Sequence, residues 1–390
     1  MNFERGMPMV FFTEEQKKFC QWVRTFALQE FSEGAKERAK LEYLSPQVMK
    51  KLADAGLLEL GTSAKYTKRP MDFVTIGIVH EEICKVEFPA MIILLIQYLV
   101  YGLAEWMSDE LREEVLPATS AGKRLLCFAN TEPDCGSDAA AIKAKAVRDG
   151  DSYIINGEKT SISGGMQADA AVITAKTNPE AGVKGVTLFY VPLTAPGVSR
   201  SVFHDMGNIP AGRASLMFDE VRIPVAFRIG AEGEGFSKVM RTFDASRVLV
   251  GLAALALAET SLTETVEYVK TKTAFGSPLS RFEAVSFKLA EHATLLEAAR
   301  MICYKALKLR DEGLPHSKEA AMAKWFAPKC AVNAIHDMLL IFGHRGYSEE
   351  NPIEQRWRDA ISTQIGDGTA EIMKLIIARE MLGGKFAPNM

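Results

Sequence analysis

Near the end of the chain Asp367 stands between Gly366 and Gly368 and is followed by Thr369. Glycine on either side lets the backbone turn sharply and come close to a bound group, and a carboxylate in such a place can accept a proton from a substrate. Taken by itself, Asp367 is a turn aspartate before a helix carrying Ile372, Leu375 and Ile376. Two other segments collect small hydroxyl side chains, Thr131 with Ser137 and Ser161 with Ser163. Such groups place directed hydrogen bonds without filling a cleft; alone they read as polar turns. Lys272 alone reads as a charge at a helix end, and His344 and Arg345 as charges facing solvent.

Other chemistries lack their signatures. The six cysteines are scattered without a CxxC pair, and the six histidines include no HExxH, so the sequence offers neither a metal site nor a disulfide framework. No GxGxxG follows an early strand, which removes the usual dinucleotide fingerprint. With 46 basic and 49 acidic residues the formal net charge is -3, giving no electrostatic reason to expect nucleic acid or an anionic membrane as partner. The start, Met1-Asn2-Phe3-Glu4-Arg5, has no continuous apolar core, and no stretch of 18 or more apolar residues is free of charge. A cytoplasmic protein without integral membrane association is expected.

The 390 residues, 48% of them hydrophobic, are enough for two or three domains. Phe19, Val23 and Phe26 recur at helical spacing within 14–31, Ser45 is placed to cap a helix through Leu57, and 73–84 and 88–103 carry broad apolar surfaces. From about residue 121 short strand patterns take over, at 125–129, 144–147, 152–155, 170–174, 185–190 and 213–218. Asp149-Gly150 and Asn156-Gly157 act as turn signals. Helical periodicity returns after Gly235, at 236–270, 284–309 and 318–342. The expected fold class is α+β: an N-terminal helical domain (1–120), a middle, mainly antiparallel β domain (121–235) and a C-terminal helical bundle (236–390).

The segment Thr131-Glu132-Pro133-Asp134-Cys135-Gly136-Ser137-Asp138 resembles the acyl-CoA dehydrogenase family. So do, in order, Asn156 to Lys159, Ile162 to Gly165, Met206-Gly207, Phe218 to Pro224, Gly230 to Phe236, Phe275-Gly276, Gly343 to Tyr347, Arg358 to Ala360 and Asp367 to Thr369. The order and spacing of these matches cover most of the chain. The resemblance implies the acyl-CoA dehydrogenase fold, FAD, an acyl-CoA thioester substrate, a homotetramer and an electron-transferring flavoprotein as redox partner.

It also implies roles. Asp367 takes the place of the catalytic base, with Gly366 and Gly368 beside the substrate. Phe128, Thr131, Ser163, Phe275, Gly346 and Thr369 fall at cofactor positions, and Ser137 near the CoA. Lys272 replaces an arginine that contacts the FAD pyrophosphate across a subunit boundary, keeping the charge but losing the planar fork. Ser161 stands where tryptophan is common, and Leu340 where glutamine often meets FAD. Ser246, before Arg247, occupies the family's alternative base position without a carboxylate. The usual Tyr-Glu-Gly-Thr becomes Gly366-Asp367-Gly368-Thr369, shortening the base by one methylene, roughly 1.5 Å, and removing an adjacent ring. Together these changes imply a short, wide acyl group such as cyclohexane-1-carboxyl-CoA. The 1,4-dehydrogenation of cyclohex-1-ene-1-carboxyl-CoA, a general short- or branched-chain dehydrogenase, and a non-catalytic flavoprotein assembly component are the alternatives. For the 1,4-reaction, the stretch Ala90-Met91-Ile92-Ile93-Leu94 supplies no acid.

Overall fold

The computed structural model describes residues 12–383, so the opening Met1 to Arg5 lies outside the described residues. The chain begins with helices α1 (Glu14–Phe31), α2 (Ala35–Arg38), α3 (Pro46–Asp54), α4 (Phe73–Cys84), α5 (Ala90–Leu103) and α6 (Asp109–Ser120). Thr13 and Gln16 form a reciprocal capping box that starts α1, and the Asp72 carboxylate accepts from the Thr75 N–H at the start of α4. Ser45 does occupy the N-cap position of α3, but its side chain makes no capping hydrogen bond there; Pro46, with no N–H to satisfy, opens that helix instead. Helix α5 is buried on nearly every side, as its almost unbroken apolar sequence requires.

Eight strands follow: β1 (Leu126–Ala129), β2 (Lys145–Asp149), β3 (Ser152–Ile162), β4 (Ala170–Lys176), β5 (Val186–Pro192), β6 (Val198–Val202), β7 (Ala214–Pro224) and β8 (Arg228–Ile229). They form one sheet in the order β6-β7-β3-β2-β4-β5-β8, with β1 alongside β4. Pairing is antiparallel except for β1 with β4 and a short β2–β4 contact, which are parallel. Asp149-Gly150 turns the chain between β2 and β3, as expected. Asn156-Gly157 does not turn it. Both residues lie inside β3, where Asn156 bonds to Glu220, and a Cβ on Gly157 would come within 2.7 Å of the Ala144 backbone. The glycine there allows two strands to approach closely.

The chain closes with α7 (Gly235–Thr271), α8 (Glu283–Asp311), α9 (Ser317–Phe342), α10 (Ile353–Ile365) and α11 (Ala370–Leu382). Helix α9 packs against the other four, and α7 also meets α4 and α5. Helix α7 is long and apolar enough by composition to cross a membrane, but most of its apolar stretch is buried in the protein. One apolar core is shared by the two helical regions and the adjoining face of the sheet; a second fills the sheet's other face. At 1.5 Å per residue, Ser246 and Lys272 on and just after α7 are about 39 Å apart.

Candidate active site

Asp367 lies in the turn between α10 and α11, with φ +58°. Gly368 follows at φ +105°, a conformation that favours glycine, with the movable end of the Met373 side chain 2.7 Å from where a Cβ would sit. Thr369 starts α11 by accepting from the Ile372 N–H. Gly366 differs: its φ is -62°, and a Cβ there would meet only the Ser362 carbonyl oxygen, at 3.8 Å. Its missing side chain leaves room.

Helix α7 supplies the other half of the site. Ser246 donates from Oγ to Oδ2 of Asp367 at 2.7 Å, and Arg247 Nε approaches the Asp367 carbonyl oxygen at 3.4 Å. Arg247 also pairs with Asp244 (3.0 Å), whose second oxygen accepts from Ser317. From α9, the buried Lys324 ammonium donates to the Thr363 and Gly368 carbonyls at 2.8 and 3.0 Å. Burial lowers the Lys324 pKa to about 8; Asp367 opposes that shift and Arg247 adds to it. Lys324 is the contributor that motif reading missed. Its signal was a single charge inside Ala320–Ala327 of an apolar helix.

A cavity of about 380 Å³ lies next to this helix face. Phe73, Tyr98, Tyr101, Trp106, Thr242 and Asp244 are among its walls, and its size falls within the roughly 300–1,000 Å³ of small-ligand sites. Asp367 is not a wall residue. It connects to the cavity through Arg247 and Asp244. The Tyr98 hydroxyl donates to the Thr242 carbonyl, and burial pushes its pKa up to about 12.

The β domain contributes a rim. Phe128 on β1 packs edge-on against Phe243, one turn of α7 before Ser246, with centroids 5.7 Å apart. The Thr131 carbonyl accepts from the Thr160 N–H. Ser137 is exposed on the loop after β1, and Ser163 is half-buried just after β3. The loop is held from beneath: Glu132 accepts from the backbone of Lys143 and Ala144 and pairs with the fully buried Lys159 at 2.7 Å. Lys159 also donates to the Asn130 carbonyl and Thr174, and burial lowers its pKa. The acid and base of these motifs are therefore occupied with each other. Beside that pair, Phe128, Thr131, Ser137 and Ser163 offer an aromatic ring and hydroxyls, an uncharged set suited to a flat heterocycle with a polar edge.

Ser161 lies in a bulge of β3 at φ +60°, and the Arg213 guanidinium fills the adjoining space. It donates to Ser161 Oγ at 2.9 Å, pairs with Asp205 and covers the Phe203 ring. Other candidate residues are remote. Lys272 caps the far end of α7, Phe275 is 97% exposed, and Gly346 sits near the stacked Tyr268 and Phe342 rings. The Gly346 N–H donates to the Gly343 carbonyl, and a Cβ there would strike the Leu339 carbonyl, so its glycine serves internal packing. Leu340 is exposed nearby. A single chain does not bring these residues to Asp367. Among the described residues no group of three or more His, Cys, Asp or Glu could hold a metal ion.

Family models match in chain order: the N-terminal domain of acyl-CoA dehydrogenase over residues 13–123, its middle domain over 127–221 and its C-terminal domain over 233–382. An acyl-CoA dehydrogenase of Bacillus subtilis (strain 168) is 34% identical, the match covering 95% of this chain and 99% of that one. The human mitochondrial short-chain specific acyl-CoA dehydrogenase is also 34% identical, with 95% and 90% covered. The structure of butyryl-CoA dehydrogenase from Megasphaera elsdenii superposes with a TM-score of 0.88 at 30% identity, covering 95% of this chain and 99% of that one. Identity of this extent, across all three domains and joined to the same fold, makes this chain a member of the acyl-CoA dehydrogenase family and an FAD-dependent oxidoreductase.

Proposed function

We propose that this protein dehydrogenates a short, wide acyl-CoA, with cyclohexane-1-carboxyl-CoA as the type substrate, and that Asp367 takes the Cα proton. The observation carrying this reading is the pairing of a shortened base with open space: Asp367 is held at 2.7 Å by Ser246, while nothing but the Ser362 carbonyl lies within 4 Å of a Cβ at Gly366. A carboxylate one methylene short suits a substrate whose Cα comes closer, and the space at Gly366 accommodates ring atoms that a tyrosine would exclude.

FAD, when bound, supplies the acceptor for the hydride leaving Cβ. Phe128, Thr131 and Ser163 would hold its ring system, and Ser137 the CoA side. The Asp367 carboxylate receives the Cα proton, and its backbone N–H donates to the thioester oxygen as negative charge develops there. Ser246 steadies the carboxylate before reaction. The buried, apolar Ala90 to Leu94 stretch supplies no second acid, which favours 1,2- over 1,4-elimination. We further assign an electron-transferring flavoprotein as the oxidant of the reduced cofactor and a homotetramer as the assembly. Lys272 and Phe275 would serve the cofactor of a neighbouring copy.

The test is anaerobic flavin bleaching by the purified holoprotein with straight, branched and cyclic acyl-CoAs. Fastest bleaching by the saturated ring ester supports the proposal. Preference for a straight C4 ester would reduce it to a general short-chain dehydrogenase, and preference for the cyclohexene ester would select 1,4-elimination. Bound FAD that no ester bleaches would leave a non-catalytic flavoprotein.

A further inference from the structure

Lys324 is 2% exposed, and among the described residues no carboxylate lies within ion-pair distance of it. Its acceptors are two backbone carbonyls. Thr363 is in the last turn of α10, where carbonyls lack helical partners, and a cation there also complements the helix dipole. Gly368 comes immediately after Asp367. The two carbonyls bracket Asp367, four residues before it and one after. Between them the chain makes two consecutive left-handed residues, Asp367 and Gly368. A non-glycine residue holds that conformation only where its surroundings impose it.

We propose that Lys324 is a positioning residue for the reaction: its ammonium ties the end of α10 to the turn after it, which aims the Asp367 carboxylate at Ser246 and the substrate side, and it sets a positive charge behind that carboxylate. This rests on the reading of Asp367 as the base. The charged groups around it are Asp367 in the turn, which favours the ammonium, and Arg247 on α7, which opposes it. A residue serving only to satisfy carbonyls would not need charge. A positioning cation does.

The experiment compares full-length holoprotein carrying K324M, K324Q or D367N with wild type. K324Q retains N–H donors for the carbonyls and removes the charge, so it covers the case in which K324M fails to fold. FAD content and the flavin spectral change on adding acetyl-CoA, which has no Cβ to oxidise, report binding. Anaerobic bleaching by the best substrate, followed across pH, reports proton removal.

With K324Q, FAD content and acetyl-CoA binding stay near wild type. Bleaching falls by roughly 10²-fold, the scale of an ångström's misplacement of a reacting group, and the decline of wild-type bleaching as pH rises through the Lys324 value of about 8 is absent from K324Q. Wild-type bleaching in K324Q, with the wild-type decline through about pH 8 retained, overturns the proposal. So does loss of FAD in both lysine variants, which would make Lys324 a folding residue only. D367N separates the two readings: wild-type bleaching in D367N removes Asp367 as the base, whereas inactive D367N beside fully active K324Q removes only the role of Lys324.

Discussion

The Ser246 hydroxyl donates to the Asp367 carboxylate at 2.7 Å, joining the first half of α7 to the turn between α10 and α11. Serine at 246 is thus a neighbour of the base and cannot replace it. D367A should leave FAD and acetyl-CoA binding intact and lower single-turnover reduction by roughly 10²–10⁴-fold, the usual contribution of a general base. S246A should cost roughly 10–10²-fold, since it removes one hydrogen bond to a charged group. Equal losses in the two variants would mean that the pair acts as one unit.

Because a Cβ at Gly366 meets nothing closer than 3.8 Å, G366Y should fold with stability changed by about 0.5 kcal/mol or less, as for an unencumbered surface site. The new ring should selectively lower kcat/KM for cyclic esters, and D367E should shift preference further toward straight ones. Steady-state kinetics with matched straight and cyclic esters reads both effects; a parallel fall for all substrates would separate pocket width from residue 366.

Lys159 and Glu132 form a buried pair beneath the Thr131 to Ser137 loop. K159M leaves the carboxylate without its cation and should destabilise the protein by about 3–5 kcal/mol, measured by denaturant unfolding of the apoprotein. Loss of FAD affinity should accompany it, as the loop loses its support. A cost below about 1 kcal/mol would show that the loop is held by its backbone bonds alone.

Lys324 also has a signature in stability. Burial places its folded pKa at about 8, below the ordinary lysine value of 10.5. Between those values the unfolded chain retains a proton that the folded one has released, so the Lys324 contribution rises with pH across that window. Below about pH 8 both states are protonated and the full penalty, a few kcal/mol at most, is present. The stability difference between wild type and K324M, followed from neutral pH to about 10.5, should therefore move in favour of wild type as pH rises; a flat difference would contradict the burial effect.

The sequence was most legible where local chemistry and tertiary demand agree. Helices α1 and α4 begin at the positions their capping residues specify, Thr13 and Asp72. Strand β6 escaped notice because Val198–Val202 alternates without a buried residue. Strand β3 looked short because Asn156-Gly157 read as a turn; only the close approach to Ala144 accounts for that glycine inside a strand. At the site, Asp367 and its glycines were apparent from their order along the chain. Ser246 and Lys324 act from 121 and 43 residues away, across helix packing that no local pattern encodes.

Helix α7 carries Ser246 about a third of the way along and leads to Lys272 about 39 Å away, too far for one chain to present both to the same reacting centre. Disabling lesions at the two places should therefore complement. Chains bearing D367A and chains bearing K272A, co-expressed so that they assemble together, would form some centres free of both defects, and bleaching activity would reappear in the mixture though each variant alone is impaired. Persistent inactivity of verified mixed assemblies would argue that Lys272 serves no neighbouring centre.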